Sequence, residues 1–464
     1  MPIETDYLVI GAGVSGLAFA DEMLTHSDAH ITLVDKRHAP GGHWNDAYPF
    51  VRLHQPSSFY GVQSRELSDF QIDESGPNKG FMTLADGPQI VHYLHGLMRQ
   101  RLLASGRVRH VPLSEVTDDG AIRSLLSGER TEVAVRRKIV DASYYTNSVP
   151  QTHVRKFAVA DGVDCIPPND LPRRAAGAAH FCVLGGGKTA MDACVWLLFN
   201  GVTPDRVTWV IPRDSWLVNR ASTQPGSEFF EPVFEGFVAN RQAIAEADSA
   251  RDLAHRMEAA GLWLRLDPEV EPTMFHAATV SEAELQLLQS VGRKIRMGRV
   301  EQITAEGLRL QQGEAECPPE TLYVDCTASA LVRKPTIPVF AGNRITLQML
   351  RIPLIPFSAA LIAFLEAAQP DDDALKNRFT TPMQLPDTVD DFIRSTAIEF
   401  ANRLEAARDP DVRAWTNSSR LEGYARIARQ VAADDAPRQA ILQRLKDATM
   451  AAAGNLPRLL QTLG

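Results

Sequence analysis

The sequence predicts an α/β fold made of two Rossmann-like dinucleotide-binding units and a helical carboxy-terminal extension. Three observations predict it. Tyr7-Leu-Val-Ile runs into Gly11-x-Gly13-x-x-Gly16 and then into helix-forming residues. The pattern returns at Phe181-Cys-Val-Leu, Gly185-Gly-Gly187-Lys188-Thr189-Ala190 and Met191–Phe199. From about residue 385 onward the apolar positions recur at helical spacing.

In the first unit, the short apolar run is a buried strand and the glycines are the turn behind it. Gly11 allows the tight turn, Gly13 lets backbone approach a pyrophosphate, and Gly16 lets helix and strand pack closely. Val14 and Ser15 open the helix, whose free N–H groups and positive dipole end face the phosphates. A second apolar run, Ile31-Thr-Leu-Val, ends on Asp35, roughly twenty residues after the last glycine, where an acid binds ribose hydroxyls. The second unit has Ala190 in place of the third glycine, and Val207–Ile211 is its second strand. Asn200-Gly201 closes its helix. Two such units imply two dinucleotides.

The 464 residues suffice for two or three domains with their own cores. A net charge of −9 with interspersed charges gives no basic footprint for nucleic acid or anionic membrane. No apolar stretch is long enough to span a bilayer, and the amino terminus lacks a basic signal-peptide region, so a cytoplasmic protein is expected. Five cysteines without a Cys-x-x-Cys suit a reducing compartment and exclude dithiol chemistry. No His/Cys cluster has metal-ligand spacing, and no Gly-x-Ser-x-Gly elbow suggests a hydrolase.

Between the motifs, Arg37–Phe70 is a long irregular loop, the kind that is usually functional. A helix is expected over 88–104 and strands at 108–111, 131–135 and 138–141. Gln224–Phe237 reads as a Pro/Gly/Phe-rich loop, followed by helices near 239–260 and 281–292 and strands at 299–303, 308–311 and 322–325. Ser358 reads as the N-cap of a helix. The expected division is 1–175 with 320–385 for the first unit, 176–319 for the second with a helical insertion, and 386–464 for the extension. A tail of this kind often packs on a partner, which leaves a homodimer open.

Taken in order, the landmarks resemble those of the two-dinucleotide flavoproteins, in the branch of flavin-containing, Baeyer–Villiger and N-hydroxylating monooxygenases. They are Gly11–Gly16, Asp35, Gly41-Gly42-His43-Trp44, Pro56-Ser57-Ser58-Phe59-Tyr60, Val140-Asp-Ala-Ser143, Gly185–Ala190 and Val324-Asp325-Cys-Thr-Ala328. The resemblance covers residues 1 to about 365. It implies FAD in the first unit, NADPH in the second, and O2 and a small molecule as the substrates. The reaction would place one oxygen atom on that molecule through a flavin C4a-(hydro)peroxide. A dehydrogenase, reductase or oxidase without oxygen transfer is the alternative.

The resemblance further implies that Gly11, Gly13, Val14, Ser15, Gly16, Asp35, Lys36, Gly42, His43, Trp44, His54, Ser57, Ser143, Asp325 and Ser358 hold FAD. Gly185, Gly187, Lys188, Thr189 and Arg213 would hold the nicotinamide dinucleotide. Arg213 precedes Asp214 at the strand tip, which favours the 2′-phosphate of NADPH over NADH. His54, Gln55 and Tyr60 are the candidate catalytic side chains. Two departures mark a side branch: the Phe-x-Gly-x-x-x-His fingerprint is missing from the Ala160–Leu171 window, and Gln55 stands near the place of the family's asparagine.

Overall fold

The computed structural model describes residues 2–67, 70–145, 148–328, 333–369 and 371–463. Two parallel sheets carry the architecture. The first has six strands in the order Phe340–Ala341, Arg344–Thr346, Val133–Asp141, Ile3–Ile10, Ile31–Val34 and Val108–Val111. All pairs are parallel except the terminal hairpin. The second has five parallel strands in the order Cys165–Ile166, Thr321–Asp325, His180–Leu184, Val207–Val210 and Arg293–Ile295. Every residue of Ile31–Val34, His180–Leu184 and Val207–Val210 is buried, as continuous apolar runs in a covered parallel sheet must be.

Thr321–Asp325 lies inside the second sheet, although the sequence division puts 320–385 with the first unit. The chain returns to the first sheet only with Phe340–Ala341 and Arg344–Thr346. Likewise Cys165–Ile166 edges the second sheet. A run such as Leu322-Tyr-Val-Asp reads as a buried strand in either sheet, and its pairing partner is not written in it.

Three other expectations change. The stretch read as a loop to Phe237 is helical from Phe230 to Glu246, because Pro232 sits in the first turn, where its missing N–H costs nothing. The Ile355–Ala368 helix begins after Leu354, with Pro356 in its first turn, so Ser358 is an interior residue and not the cap. Its hydroxyl donates to Leu354 O at 2.8 Å and accepts from Leu350 N at 3.0 Å. The helix expected over 88–104 runs Gly87–Leu97, set by an Asp86/Gln89 capping box, and passes into a π turn at Met98–Leu102.

The carboxy-terminal helices Val389–Arg408, Pro410–Ser418, Tyr424–Arg429 and Ala436–Gln461 pack back onto both units. The last lies along Phe230–Glu246 through Phe230, Val233, Phe234, Ile441 and Ala448. Trp415 and Leu421 join the first unit's core, where the Val14–His26 and Ile355–Ala368 helices meet. No helix among the described residues is long and apolar enough to cross a membrane.

Candidate functional site: two dinucleotide cradles and the contact between them

Each glycine turn leads into a helix that starts without a side-chain cap and without an acidic residue in its first turn. Elsewhere, at Gly87–Leu97, Glu282–Ser290 and Val389–Arg408, Asp, Ser or Thr side chains satisfy the helix start. The Val14–His26 and Lys188–Phe199 helices therefore keep their N–H groups and positive dipole ends for an anion. Space around the turns is tight on the strand side. A methyl on Gly16 would fall 2.1 Å from Gly11 O. In front of Gly187 there is open space, with nothing within 4 Å of a Cβ. The Gly41-Gly42 turn closes over the first cradle: Gly41 N donates to Ala12 O, and a Cβ on Gly13 would lie 3.7 Å from Gly42 Cα. Gly41 has φ +124°, which only glycine adopts without strain.

The two units share one further device. At the end of Val133–Asp141, the Asp141 carboxylate accepts from Ser143 N at 2.9 Å and from Ser143 Oγ at 2.8 Å. At the end of Thr321–Asp325, Asp325 accepts from Thr327 N at 3.0 Å and from Thr327 Oγ1 at 2.7 Å. Both turns press the intervening residue onto the glycine loop, Ala142 against Gly11 and Cys326 against Gly185. The landmarks Val140–Ser143 and Val324–Ala328 are thus repeats of one Asx-type turn. Ser143's hydroxyl and Asp325's carboxylate, expected at the cofactor, bond within the protein. Asp325 also meets His153 Nε2 at 3.0 Å and Arg155 Nε at 3.3 Å.

Around the first cradle, Asp35 accepts from Ala12 N at 2.6 Å and Arg37 N at 2.7 Å, so it shapes the glycine loop. Lys36 is exposed and pairs with Glu115 at 3.2 Å. Trp44 and Tyr60 come together: Trp44 Nε1 donates to Tyr60 Oη at 2.6 Å, with the rings edge to face at 5.9 Å. His43 lies against Trp44 at 5.0 Å between centroids, and enclosure followed by Arg37 lowers its pKa to about 4. Ser57's hydroxyl is used by the backbone, donating to Thr83 O and accepting from Ala85 N.

His54 and the neighbouring Gln55 are half-buried, and His54 lies near Lys188 and Arg220 of the second unit. Enclosure, then the charges of Lys188 and Arg220, push the His54 imidazole down to about 3. It is therefore neutral at physiological pH, with one ring N–H to donate and one nitrogen to accept.

Lys188 joins a network that sequence reasoning missed. Its ammonium contacts Asp192 and lies 4.0 Å from Glu284 Oε1, turned inward from the glycine loop. Tyr48 of the first unit donates to Asp192 Oδ2 at 2.7 Å. Arg220, fully buried, lies 2.7 Å from Glu284 Oε2 and donates to Asn78 Oδ1 and Thr279 O at 3.2 Å. Burial works to raise Glu284, and Lys188 with Arg220 outweighs it, holding the carboxyl below its ordinary range. Phe50 stacks on Trp196 at 5.2 Å beside this network. The loop 41–60, which faces the first cradle, is thereby fastened to the helix that starts the second. Of its members Lys188 sits in the glycine motif and Tyr48 in the long 37–70 loop; Arg220 and Glu284 lie in segments that carry no motif.

At the tip of the second unit's second strand, Asp214 is held by Arg296 through two bonds of 2.8 and 3.1 Å. Arg213 beside it is exposed, and among the described residues no carboxylate pairs with it. Thr189 reaches the Tyr48 hydroxyl. Ser358 is buried as the fourth residue of its helix, not at the cap. The five cysteines are free thiols; Cys182, Cys194 and Cys326 are buried. No group of three or more metal-ligating side chains occurs among the described residues.

A family model for the NAD(P)-binding Rossmann-like domain matches residues 9–57. Uncharacterized protein Rv2000 of Mycobacterium tuberculosis is 45% identical over 419 residues, which is 90% of this chain and 78% of that protein. Uncharacterized protein Mb2023 of Mycobacterium bovis matches to the same extent. The chain belongs to the family of these mycobacterial proteins. Among solved structures, the open form of cyclohexanone monooxygenase is 14% identical, with a TM-score of 0.50, covering 97% of this chain and 99% of that one. Cyclohexanone monooxygenase from Rhodococcus sp. Phi1 bound to NADP+ is 13% identical with a TM-score of 0.51, over 97% and 99%. This chain therefore shares the fold of cyclohexanone monooxygenase.

Proposed function

We propose that this chain is an FAD-dependent, NADPH-reduced monooxygenase that places one oxygen atom of O2 on a small organic substrate. The observation that carries the reading is the pair of uncapped helix starts behind two glycine turns, joined by the 41–60 loop. The residues of the first cradle fit FAD. Gly11–Gly16 and the Gly41-Gly42 turn leave a backbone-lined groove at a positive helix end, and Trp44 offers an aromatic wall beside it. Bound FAD supplies the hydride acceptor and the oxygen chemistry; the chain binds, orients and excludes water. Enclosure holds His43 and His54 neutral, and the Tyr48, Asp192 and Glu284 oxygens are bonded within the protein, so these residues order the site.

The nicotinamide reading deepens at Arg213. With Asp214 neutralised by Arg296, the strand tip offers a guanidinium and no free carboxylate, which suits a 2′-phosphate. The fold neighbour from Rhodococcus binds NADP+, in keeping with this. Arg213→Ser is expected to raise the KM for NADPH about 10- to 100-fold, the weight of one or two charge-assisted bonds, and to leave that for NADH within about twofold. Steady-state oxidation of both nucleotides measures it; equal losses for the two would refute the assignment.

A further inference from the structure

The Pro410–Tyr424 stretch carries no recognisable motif, yet it grips the loop that holds Tyr60. Arg420 is buried, and its guanidinium is met by backbone carbonyls. It donates to Ser58 O at 2.8 Å, Tyr60 O at 2.9 Å, Val62 O at 2.8 Å and Arg65 O at 2.7 Å. Among the described residues no carboxylate pairs with it. A buried cation without an acid is costly unless every donor is matched, and a planar fork is the shape that can match four carbonyls of one loop.

The grip has further points. Ser419 Oγ donates to Gln63 Oε1 at 3.0 Å, and Trp415 Nε1 donates to Glu22 Oε1 at 2.5 Å. Phe59 lies on Tyr424 at 5.0 Å and against Gly423, where a Cβ would meet its ring at 2.1 Å. Beside Arg420, Tyr93 accepts from Val62 N at 2.9 Å and donates to Arg65 O at 2.6 Å. Tyr93 and Arg420 together thus fix loop 58–65. From it Tyr60 reaches the Gly41–Trp44 turn, its hydroxyl accepting from Trp44 Nε1.

We infer that Arg420 is a positioning residue of the first cofactor site, acting through Tyr60 on Trp44. This rests on the proposed reading that the Gly41–Trp44 turn flanks FAD. It makes the carboxy-terminal extension a working part of that site, and not only a cover for the second unit's insertion.

The test compares Arg420→Ala, Arg420→Lys and Tyr60→Phe in the full chain. Arg420→Ala should stay folded, because the Trp415–Glu22 and Phe59–Tyr424 contacts remain. It should bind FAD more weakly and show a changed visible circular-dichroism spectrum of the bound flavin. Its kcat should fall about 10- to 100-fold while the KM for NADPH stays within about twofold, as displacement of a positioned group does. Added guanidinium should restore the spectrum, and Arg420→Lys should recover only part of it, since an ammonium cannot span four carbonyls. Tyr60→Phe, which keeps the clasp but cuts the bond to Trp44, should reproduce the spectral change. A folded Arg420→Ala with wild-type flavin spectrum and kcat would overturn the inference. If that variant fails to fold, an unchanged spectrum in Tyr60→Phe would overturn it instead. A wild-type protein that binds no FAD refutes the underlying reading and is a separate result.

Discussion

Glu366→Ala should lower the unfolding free energy by about 3–5 kcal/mol, the cost of removing one partner from a buried ionic cluster. Glu366 sits on the Ile355–Ala368 helix, 1% exposed, and its two oxygens serve three donors. Tyr7 donates to Oε1 at 3.0 Å, Lys138 to Oε2 at 3.1 Å, and fully buried Lys376 also to Oε2. Asp373 meets Lys138 at 2.7 Å and Lys376 at 3.1 Å, so the cluster holds two ammonium groups and two carboxylates. Without Glu366, Asp373 is left to face both ammonium groups beside the Phe340 ring, two positive charges against one carboxylate. Glu366→Gln should lose less, because its amide oxygen still accepts from Tyr7. Denaturant unfolding of cofactor-free protein measures the loss, and a midpoint within error of wild type for Glu366→Ala would contradict it.

Gly16→Ala should abolish tight FAD binding with a single methyl group. The added Cβ would fall 2.1 Å from Gly11 O and 3.2 Å from Gly11 C, both backbone atoms that cannot rotate away. The helix must shift off the strand, taking the Gly13 cradle with it. Overpacking of this kind costs about 1–3 kcal/mol, which is roughly 5- to 150-fold in an affinity. Gly454→Ala is the control: it lies in the Ala436–Gln461 helix with nothing within 4 Å of the new methyl, and FAD binding should be untouched. Titration of apoprotein by flavin fluorescence reads both variants. Equal affinity in Gly16→Ala and wild type would contradict the packing argument.

What was legible in the sequence was what repeats locally. Gly11–Gly16 and Gly185–Ala190 follow apolar runs of strand length, and both turned out to be strand, turn and helix in register. The pairing order was not legible, since Thr321–Asp325 fits either sheet by composition. Proline misled at Gln224–Phe237, where Pro232 starts a helix and does not break one. Serines misled at the site. Ser57, Ser143 and Ser358 have the right chemistry for a ligand, but each spends its hydroxyl on backbone or a neighbouring carboxylate. The network of Tyr48, Asp192, Arg220 and Glu284 was hidden because its members lie as far as 236 residues apart (284 − 48). Arg420 was hidden for the same reason, 355 to 362 positions from the carbonyls it holds.

The central claim is a flavin site in the first unit served by NADPH at the second. The most direct measurement is the visible spectrum of the purified protein, taken after incubation with FAD and then followed anaerobically as NADPH is added. The expected result is one FAD per chain, bleached by NADPH much faster than by NADH and restored by O2, with oxygenated product when the right small molecule is present. Restoration by O2 with no oxygenated product from any substrate would leave the dehydrogenase or oxidase alternative. A chain that retains no flavin would contradict the account.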